Sequence, residues 1–534
     1  MITLFDTLLS TAGARPEHAA LVHQNDTLSY AALLTQARAA AAAMRTMGVT
    51  PGDRVAVYAD KRFEVAVAML GTAALGAVFV PINPQLKAHQ VLHILRDAGV
   101  RLLVTPGARY EILRAAGEAL PATLLLRDSK EAPRAPLPLW DDELAAAAPL
   151  AKAEPVVDND LAAILYTSGS TGSPKGVMVT HRNLGAGAAS VNQYLSNRPT
   201  DVILSLLPLS FDAGLSQLTT AIGVGATLVL VNFLTAAEVV RVCQKHRVTT
   251  MTAVPPLWHQ LAAATWPAEV AATVRCFANT GGHMPASLLA TLRATFVNAR
   301  PFLMYGLTEA FRSTYLDPDE VDRRPNSIGK AVPNAQILVL RADGSVCDAE
   351  EHGELVHRGA FVTLGYWNDT ARTQEKFRRL PAGVPGALAG EIAVWSGDIV
   401  RRDAEGFLYF VGRKDDLIKI SGYRVSPTEV EEVLLATGLV REVAVIGTPH
   451  PTLGMQIVAF AVPATADVDP VRVINASKPK LPTYMVPSKV VLSAALPRNG
   501  NGKFDRNKLA ADLRQGAVAT VSTIPTVPAV AEYA

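Results

Sequence analysis

The sequence is poor in cysteine, in blocks of like charge and in aromatic residues, and each shortage closes off a class of protein. Its 3 cysteines, Cys243, Cys276 and Cys347, are scattered and odd in number. They show neither the paired spacing of a zinc site nor the even count of a disulfide framework, a pattern ordinary for a reducing compartment. The 50 Lys+Arg against 48 Asp+Glu leave a formal charge of +2 and gather into no basic stretch, so no nucleic-acid footprint is expected. The opening residues, Met1-Ile-Thr-Leu-Phe-Asp6, carry neither a basic segment nor an apolar run with a cleavage site, which makes the cytoplasm the default expectation. One stretch, Val65 to Ile82, runs 18 residues without a charge. It is rich in Ala and Gly and leads into Pro81-Ile-Asn-Pro84, so it reads as a buried helix feeding a buried strand and not as a membrane span.

What remains is an ordinary globular composition, 49% apolar and 18% charged over 534 residues, enough for two to four folding units at roughly 150 residues each. Short apolar runs rich in β-branched residues alternate with longer Ala-rich helical stretches as far as about residue 300: Arg54 to Tyr58, Ala77 to Val80, Arg101 to Val104, Leu161 to Tyr166, Val202 to Leu207 and Thr227 to Val231. Helices covering parallel strands give this alternation, hence an α/β fold. Beyond about residue 325 the texture turns to β-rich segments with Gly turns, such as Ala335 to Leu340 followed by Ala342-Asp-Gly344. No internal repeat stands out, which argues against a solenoid. The end from Gly516, rich in Ala, Val, Thr and Pro, reads as a mobile tail, residues 516–534.

The segment with the sharpest chemistry is Tyr166-Thr-Ser-Gly-Ser-Thr-Gly-Ser-Pro-Lys-Gly176, which follows an apolar strand. Glycines let backbone amides approach an anion, hydroxyls add donors and Lys175 adds a cation, so a polyphosphate is the natural guest. The spacing is not that of a Walker A loop, because Pro174 stands before the lysine.

This segment resembles the phosphate loop of the adenylate-forming superfamily, which includes acyl-CoA synthetases, nonribosomal adenylation domains and luciferases. Other segments similar to that family's motifs follow in order, to about residue 510. By the resemblance, Thr167, Ser168, Gly169, Ser170, Thr171, Gly172 and Lys175 hold phosphates of ATP. In Tyr305-Gly-Leu-Thr-Glu309, Tyr305 stacks on adenine beside Gly306, Thr308 touches the α-phosphate and Glu309 holds Mg²⁺. A hard carboxylate suits a hard ion bound to phosphates. Gly281 and Gly282 belong to the adenine side, with His283 where many relatives carry Glu. Asp398, in Ser396-Gly-Asp398, is similar to the ribose-binding aspartate, and vicinal hydroxyls suit a carboxylate.

The run Gly406 to Arg424 resembles the family's crossover between domains. It implies that Arg413 reaches the ribose, that Asp415 is the hinge and that Ser421, Gly422 and Tyr423 lie on the loop nearest the thiol acceptor. Near the end, Leu496-Pro-Arg-Asn-Gly-Asn-Gly-Lys-Phe-Asp505 is similar to the closing motif, whose lysine, here Lys503, stabilises charge during adenylation. The implied architecture is a large N-terminal domain of stacked α/β layers plus a β-rich subdomain, residues 1–414, and a small mobile α+β lid, 415–515. The implied reaction turns a carboxylic acid and ATP into acyl-AMP and pyrophosphate, then forms a thioester with CoA or a carrier-protein phosphopantetheine. No Gly-Gly-x-Ser site for phosphopantetheine follows Lys503, so a free-standing ligase is expected.

The acid is harder to read. Phe211, Asp212, Ala213 and Ser216 of Pro208-Leu-Ser-Phe-Asp-Ala-Gly-Leu-Ser216, with Met304 and Arg312, form the candidate substrate pocket. Asp212 stands where amino-acid-activating relatives bind an ammonium, yet an aspartate there also caps a helix or pairs with Arg312. Together with Tyr305 to Tyr315, this region resembles AMP-forming acyl-CoA ligases associated with bacterial exosortase loci, which tilts the expectation toward a simple acyl acid. The alternative is a free-standing amino-acid:carrier-protein ligase.

Overall fold

Side-chain alternation along the strands decides the layering. In the strand Arg54–Val57, Val55 and Val57 enter one buried apolar cluster while Ala56 enters another. The neighbouring strand Val78–Pro81 sends Phe79 to the first cluster and Val78 and Val80 to the second, and Val100–Pro106 divides Leu102 and Val104 from Leu103 in the same way. A strand buried on both faces must be apolar at every position, which is why these runs read as continuous and not alternating in hydropathy. The computed structural model describes residues 3–127, 137–168, 174–233, 235–384, 386–388, 390–414, 418–420, 423–450, 454–499 and 503–514. Gly169, Ser170, Thr171, Gly172, Asp415, Ser421, Gly422 and the tail 516–534 lie outside the described residues.

The chain divides into two compact units, one of Met1–Leu338, Val356–Ser396 and Gly406–Leu408, the other of Val339–Leu355, Gly397–Glu405 and Tyr409–Ala534. The first unit holds two sheets. One has the strand order Ala122–Leu126, Val100–Pro106, Arg54–Val57, Val78–Pro81, Leu161–Ser168, Pro174–Thr180, parallel throughout except for the last pair. In the other, parallel strands run from Ala19–His23 through Thr227–Leu230, Val202–Ser205, Thr250–Ala253 and Cys276–Asn279 to Arg300–Tyr305. Antiparallel strands Thr314–Leu316 and Ser327–Ala331 then extend it, so the expected change to β-rich texture begins here. The uncharged stretch resolves as expected into the buried helix Phe63–Ala74 followed by the strand Val78–Pro81. Among the described residues no helix is long and apolar enough to cross a membrane. All three cysteines are free and buried, and burial pushes the thiols of Cys243 and Cys276 up to about 12.

In the second unit, the long hairpin Val440–His450 and Gly454–Pro463 anchors an antiparallel sheet with Lys489–Leu492 added in parallel. Alternation again gives two buried faces. Val443, Val445, Ile457 and Ala459 pack with Val430 and Leu434 of helix Pro427–Leu435, whereas Ala444, Ile446, Val458 and Phe460 pack with Leu509 of helix Arg506–Arg514. This is a small α+β domain, as expected for the C-terminal part.

A single histidine ties the first helix, Leu4–Ala14, to the helix His181–Tyr194: the Leu4 N–H donates to His181 Nδ1 at 3.3 Å. Burial lowers the His181 pKa from 6.5 to about 4, so between those values the unfolded chain binds a proton that the folded chain does not. Stability from this group is therefore full above about pH 6.5 and falls by about 3 kcal/mol as pH drops to 4. Urea unfolding of His181→Asn across that range should show a slope shallower by about one proton. An unchanged slope contradicts the assignment.

Candidate active site

Two strands frame one end of the candidate site. Leu161–Ser168 and Pro174–Thr180 pair antiparallel, with Thr167 opposite Lys175 and Ser168 opposite Pro174. Gly176 is required there, because a Cβ would fall 2.5 Å from Ile164 and 3.1 Å from the Tyr166 ring. A third segment runs alongside Pro174–Thr180. The Met178 N–H donates to the Gly365 carbonyl at 2.9 Å, and the Trp367 N–H to that of Gly176 at 2.7 Å.

The same segment holds Glu309. Thr363 donates to the Glu309 carbonyl twice, from its N–H and from its hydroxyl, each at 3.0 Å. The Tyr366 hydroxyl donates to the Glu309 carboxylate, and Lys175 Nζ lies 6.0 Å from the centre of the Tyr366 ring. Burial lowers the Lys175 pKa, with Arg372 next in effect, while Asp369 and Glu309 act the other way. A carboxylate and two cations beside the paired strands Leu161–Ser168 and Pro174–Thr180 suit a divalent cation bound to a polyphosphate.

Glu309 leaves the sheet through a strained turn. Strand Arg300–Tyr305 ends at Tyr305, and Thr308–Ala310 forms one turn of 3₁₀ helix. Phe311 follows at φ +52°, a value that L-residues other than Asn and Asp seldom adopt. Its ring is fully buried against helix His181–Tyr194 at Gly187, where a Cβ would lie 2.6 Å from it. Tyr305, Thr308 and Glu309 are half-buried and stand together on this turn. Gly281 has φ +75°, and the Gly282 carbonyl accepts from Asn279 Nδ2 at 2.8 Å.

Of the pocket residues read from the sequence, Ala213, Ser216, Met304 and Arg312 line one small cavity of about 20 Å³. Phe211 and Asp212 are not part of its lining. Asp212 is the first residue of helix Asp212–Val224 and not the residue capping it, and its Oδ1 accepts from the Ala213 N–H at 2.7 Å. Its Oδ2 lies 3.9 Å from Arg312 Nη1, so the two expected partners do face each other. Gly214 lets this helix start so close to the preceding chain, since a Cβ there would meet the Pro208 carbonyl oxygen at 1.9 Å.

Asp398 and Arg413 belong to the second unit and pair with each other at 3.2 Å, the aspartate buried and the arginine exposed. Gly397, at φ +76°, accepts from the Lys414 N–H at 2.7 Å and turns the strand Ile392–Arg402 beside them. Lys503 is exposed. Its N–H donates to Asn499 Oδ1 at 3.1 Å and its carbonyl accepts from the Asn499 N–H at 2.8 Å. Tyr423 opens the strand Tyr423–Val425.

Sequence reasoning missed Tyr366, Thr363, Gln217 and Thr250. Two of them were within reach: Ala213, Ser216, Gln217 and Thr220 have the i, i+3, i+4, i+7 spacing of one helix face. Thr250 and Thr252 share a face of their strand by period-two alternation. Nothing local announced Thr363 and Tyr366, because they lie 54 and 57 residues from Glu309.

This arrangement has known counterparts. Residues 8–367 match the model of the AMP-binding enzyme family and residues 429–503 that of the AMP-binding enzyme C-terminal domain. The chain belongs to this family and is an adenylate-forming ligase. It is 32% identical to a linear gramicidin synthase of Brevibacillus parabrevis over 93% of its own length, but spans only 6% of that protein. It is 30% identical to an L-proline–[L-prolyl-carrier protein] ligase of Pseudomonas fluorescens, covering 96% of this chain and 99% of that one. Among solved structures, O-succinylbenzoate coenzyme A synthetase from Bacillus subtilis, in complex with ATP and magnesium ion, is similar with a TM-score of 0.81. It shares 28% identity over 95% of this chain and 99% of that one.

The tight seat of Phe311 predicts opposite effects for two neighbouring glycines of one helix. Gly185 has open space around its Cβ position, so Gly185→Ala should raise the unfolding free energy by about 0.5–1 kcal/mol. Gly187→Ala should lower it by about 1–3 kcal/mol by pushing on the Phe311 ring. Urea titration of both variants checks the contrast, which fails if the two shift in the same direction.

Proposed function

We propose that this chain activates a carboxylic acid with ATP and then passes the acyl group to the thiol of CoA or of a carrier-protein phosphopantetheine. The observation that carries this reading is the Lys175–Tyr366–Glu309 cluster, held together by the segment 363–367 across two separate motifs. In the first step a carboxylate oxygen of the acid bonds to the α-phosphorus, the bond from that phosphorus to the bridging oxygen breaks, and pyrophosphate leaves. In the second, a thiolate attacks the acyl carbon and AMP departs. Mg²⁺ held by Glu309 neutralises polyphosphate charge when bound. Lys175 and the loop hydroxyls hold the phosphates, Tyr305, Asp398 and Arg413 the nucleoside. Lys503 supplies the cation for adenylation, and Ser421, Gly422 and Tyr423 serve the thiol step. Residues 415–515 act in this reading as a lid hinged at Asp415. ATP and CoA as substrates agree with a cytoplasmic setting.

An amino-acid:carrier-protein ligase is the second reading, and the similarity to the prolyl-carrier ligase favours it. Against it stands the surrounding of Asp212, whose carboxylate faces Arg312 at 3.9 Å and accepts from the Ala213 N–H. A carboxylate so placed has no need of a substrate ammonium. ATP–pyrophosphate exchange across fatty, aryl, dicarboxylic and amino acids tests both.

Separating the half-reactions tests Lys503. Lys503→Ala should slow acyl-AMP formation by about 10²-fold or more while sparing thioester formation from preformed acyl-AMP. Equal loss in both steps assigns the lysine another role.

A further inference from the structure

The cavity under the pocket carries an unmet hydrogen-bonding demand. Gln217, Thr250 and Arg312 all line it and are 4%, 1% and 3% exposed. Each has a buried atom without a hydrogen-bond partner among the described residues: Gln217 Oε1, Thr250 Oγ1 and Arg312 Nε. Buried polar groups are almost always paired, and leaving one unmatched destabilises the fold. Three residues that line one cavity of about 20 Å³ thus each hold an unmatched polar atom, and a space of that size admits about one heavy atom.

The required chemistry follows from the three atoms. Gln217 Nε2 donates to the Leu204 carbonyl at 2.7 Å, which fixes the amide orientation and makes Oε1 an acceptor in want of a donor. The Arg312 Nε–H is a donor in want of an acceptor, and the Thr250 hydroxyl serves either way. A carboxylate offers no donor to Gln217. An ammonium offers no lone pair to Arg312, and an alkyl or aryl end satisfies none of the three. An alcohol hydroxyl satisfies all of them. The charge balance agrees, because Asp212 lies 3.9 Å from Arg312 and the guanidinium does not call for a second anion. Met304, another wall of the cavity, directly precedes Tyr305 at the end of strand Arg300–Tyr305, and a cavity of about 20 Å³ has no room for a long chain.

Resting on the adenylation reading above, we propose that the acid activated is a short-chain hydroxycarboxylic acid whose hydroxyl is held by Gln217, Thr250 and Arg312. The test is ATP–pyrophosphate exchange by the full chain with matched sets: glycolate, lactate, 3-hydroxypropionate, 3-hydroxybutyrate and 4-hydroxybutyrate against their des-hydroxy, amino and dicarboxylic counterparts. At least one hydroxy acid should exceed its counterparts by about 10²-fold in kcat/KM, since a site built to bond a hydroxyl rejects the analogue lacking it. Thr250→Val, of nearly the same shape, should narrow that ratio by about tenfold. It should keep or raise Tm, because the hydroxyl it removes has no partner in the free protein. Preference for a des-hydroxy, amino or dicarboxylic acid overturns the inference while leaving the ligase reading intact. Des-hydroxy acids used as well as hydroxy acids would mean that the seat holds only water, and a Thr250→Val variant with undiminished selectivity would remove Thr250 from it. Absence of exchange with every acid, fatty and aryl acids included, overturns the ligase reading itself.

Discussion

Glu309 is fixed from two directions, and the arrangement of the catalytic unit depends on that grip. Its carbonyl accepts two bonds from Thr363 and its carboxylate one from Tyr366, while residues 364–367 are bonded along the strand that carries Lys175 and Gly176. The strand that carries Lys175 and the turn that presents Glu309 are therefore one hydrogen-bonded object. Preorganisation of this kind spares reorganisation when charge develops at the reacting phosphorus, which is where electrostatic catalysis gains most. The strained Phe311 and the space left by Gly187 belong to the same constraint, since together they turn the chain immediately after Glu309.

Much of this was legible in the linear sequence because the relevant signals are local. The strands Arg54–Val57, Leu161–Ser168 and Thr227–Leu230 fall where short β-branched runs stand between Ala-rich stretches, and the uncharged run from Val65 folds as a buried helix and strand. The phosphate loop and the Tyr305 to Glu309 turn carry their chemistry in consecutive residues. The ties from Thr363 and Tyr366 to Glu309 were not legible, because a hydroxyl donating across more than 50 residues leaves no mark on spacing. Asp212 shows a finer limit. Its place near a helix start was clear, but whether it caps, binds a ligand or faces Arg312 depends on a contact 100 residues away, and the fold chose the first turn of the helix and the guanidinium.

The substrate end differs in kind from the phosphate end. In the proposed reading, backbone and charge dominate where ATP is held, whereas the acid end is a small set of buried polar atoms with a donor and acceptor pattern of its own. A pocket of that type discriminates by leaving its groups unpaired with the wrong guest, a harsher penalty than a lost apolar contact. In the proposed reading, reaction class and substrate choice rest on different residues of the same unit, Lys175 and Glu309 for the one, Gln217, Thr250 and Arg312 for the other.

Whether Glu309, held by Tyr366, serves an Mg²⁺-dependent attack on ATP is decided by ATP–pyrophosphate exchange with Glu309→Gln. The amide retains an acceptor for the Tyr366 hydroxyl but loses the charge. A folded variant whose exchange falls by about 10²-fold or more with every acid is expected. Exchange within a few-fold of the unsubstituted chain would contradict it.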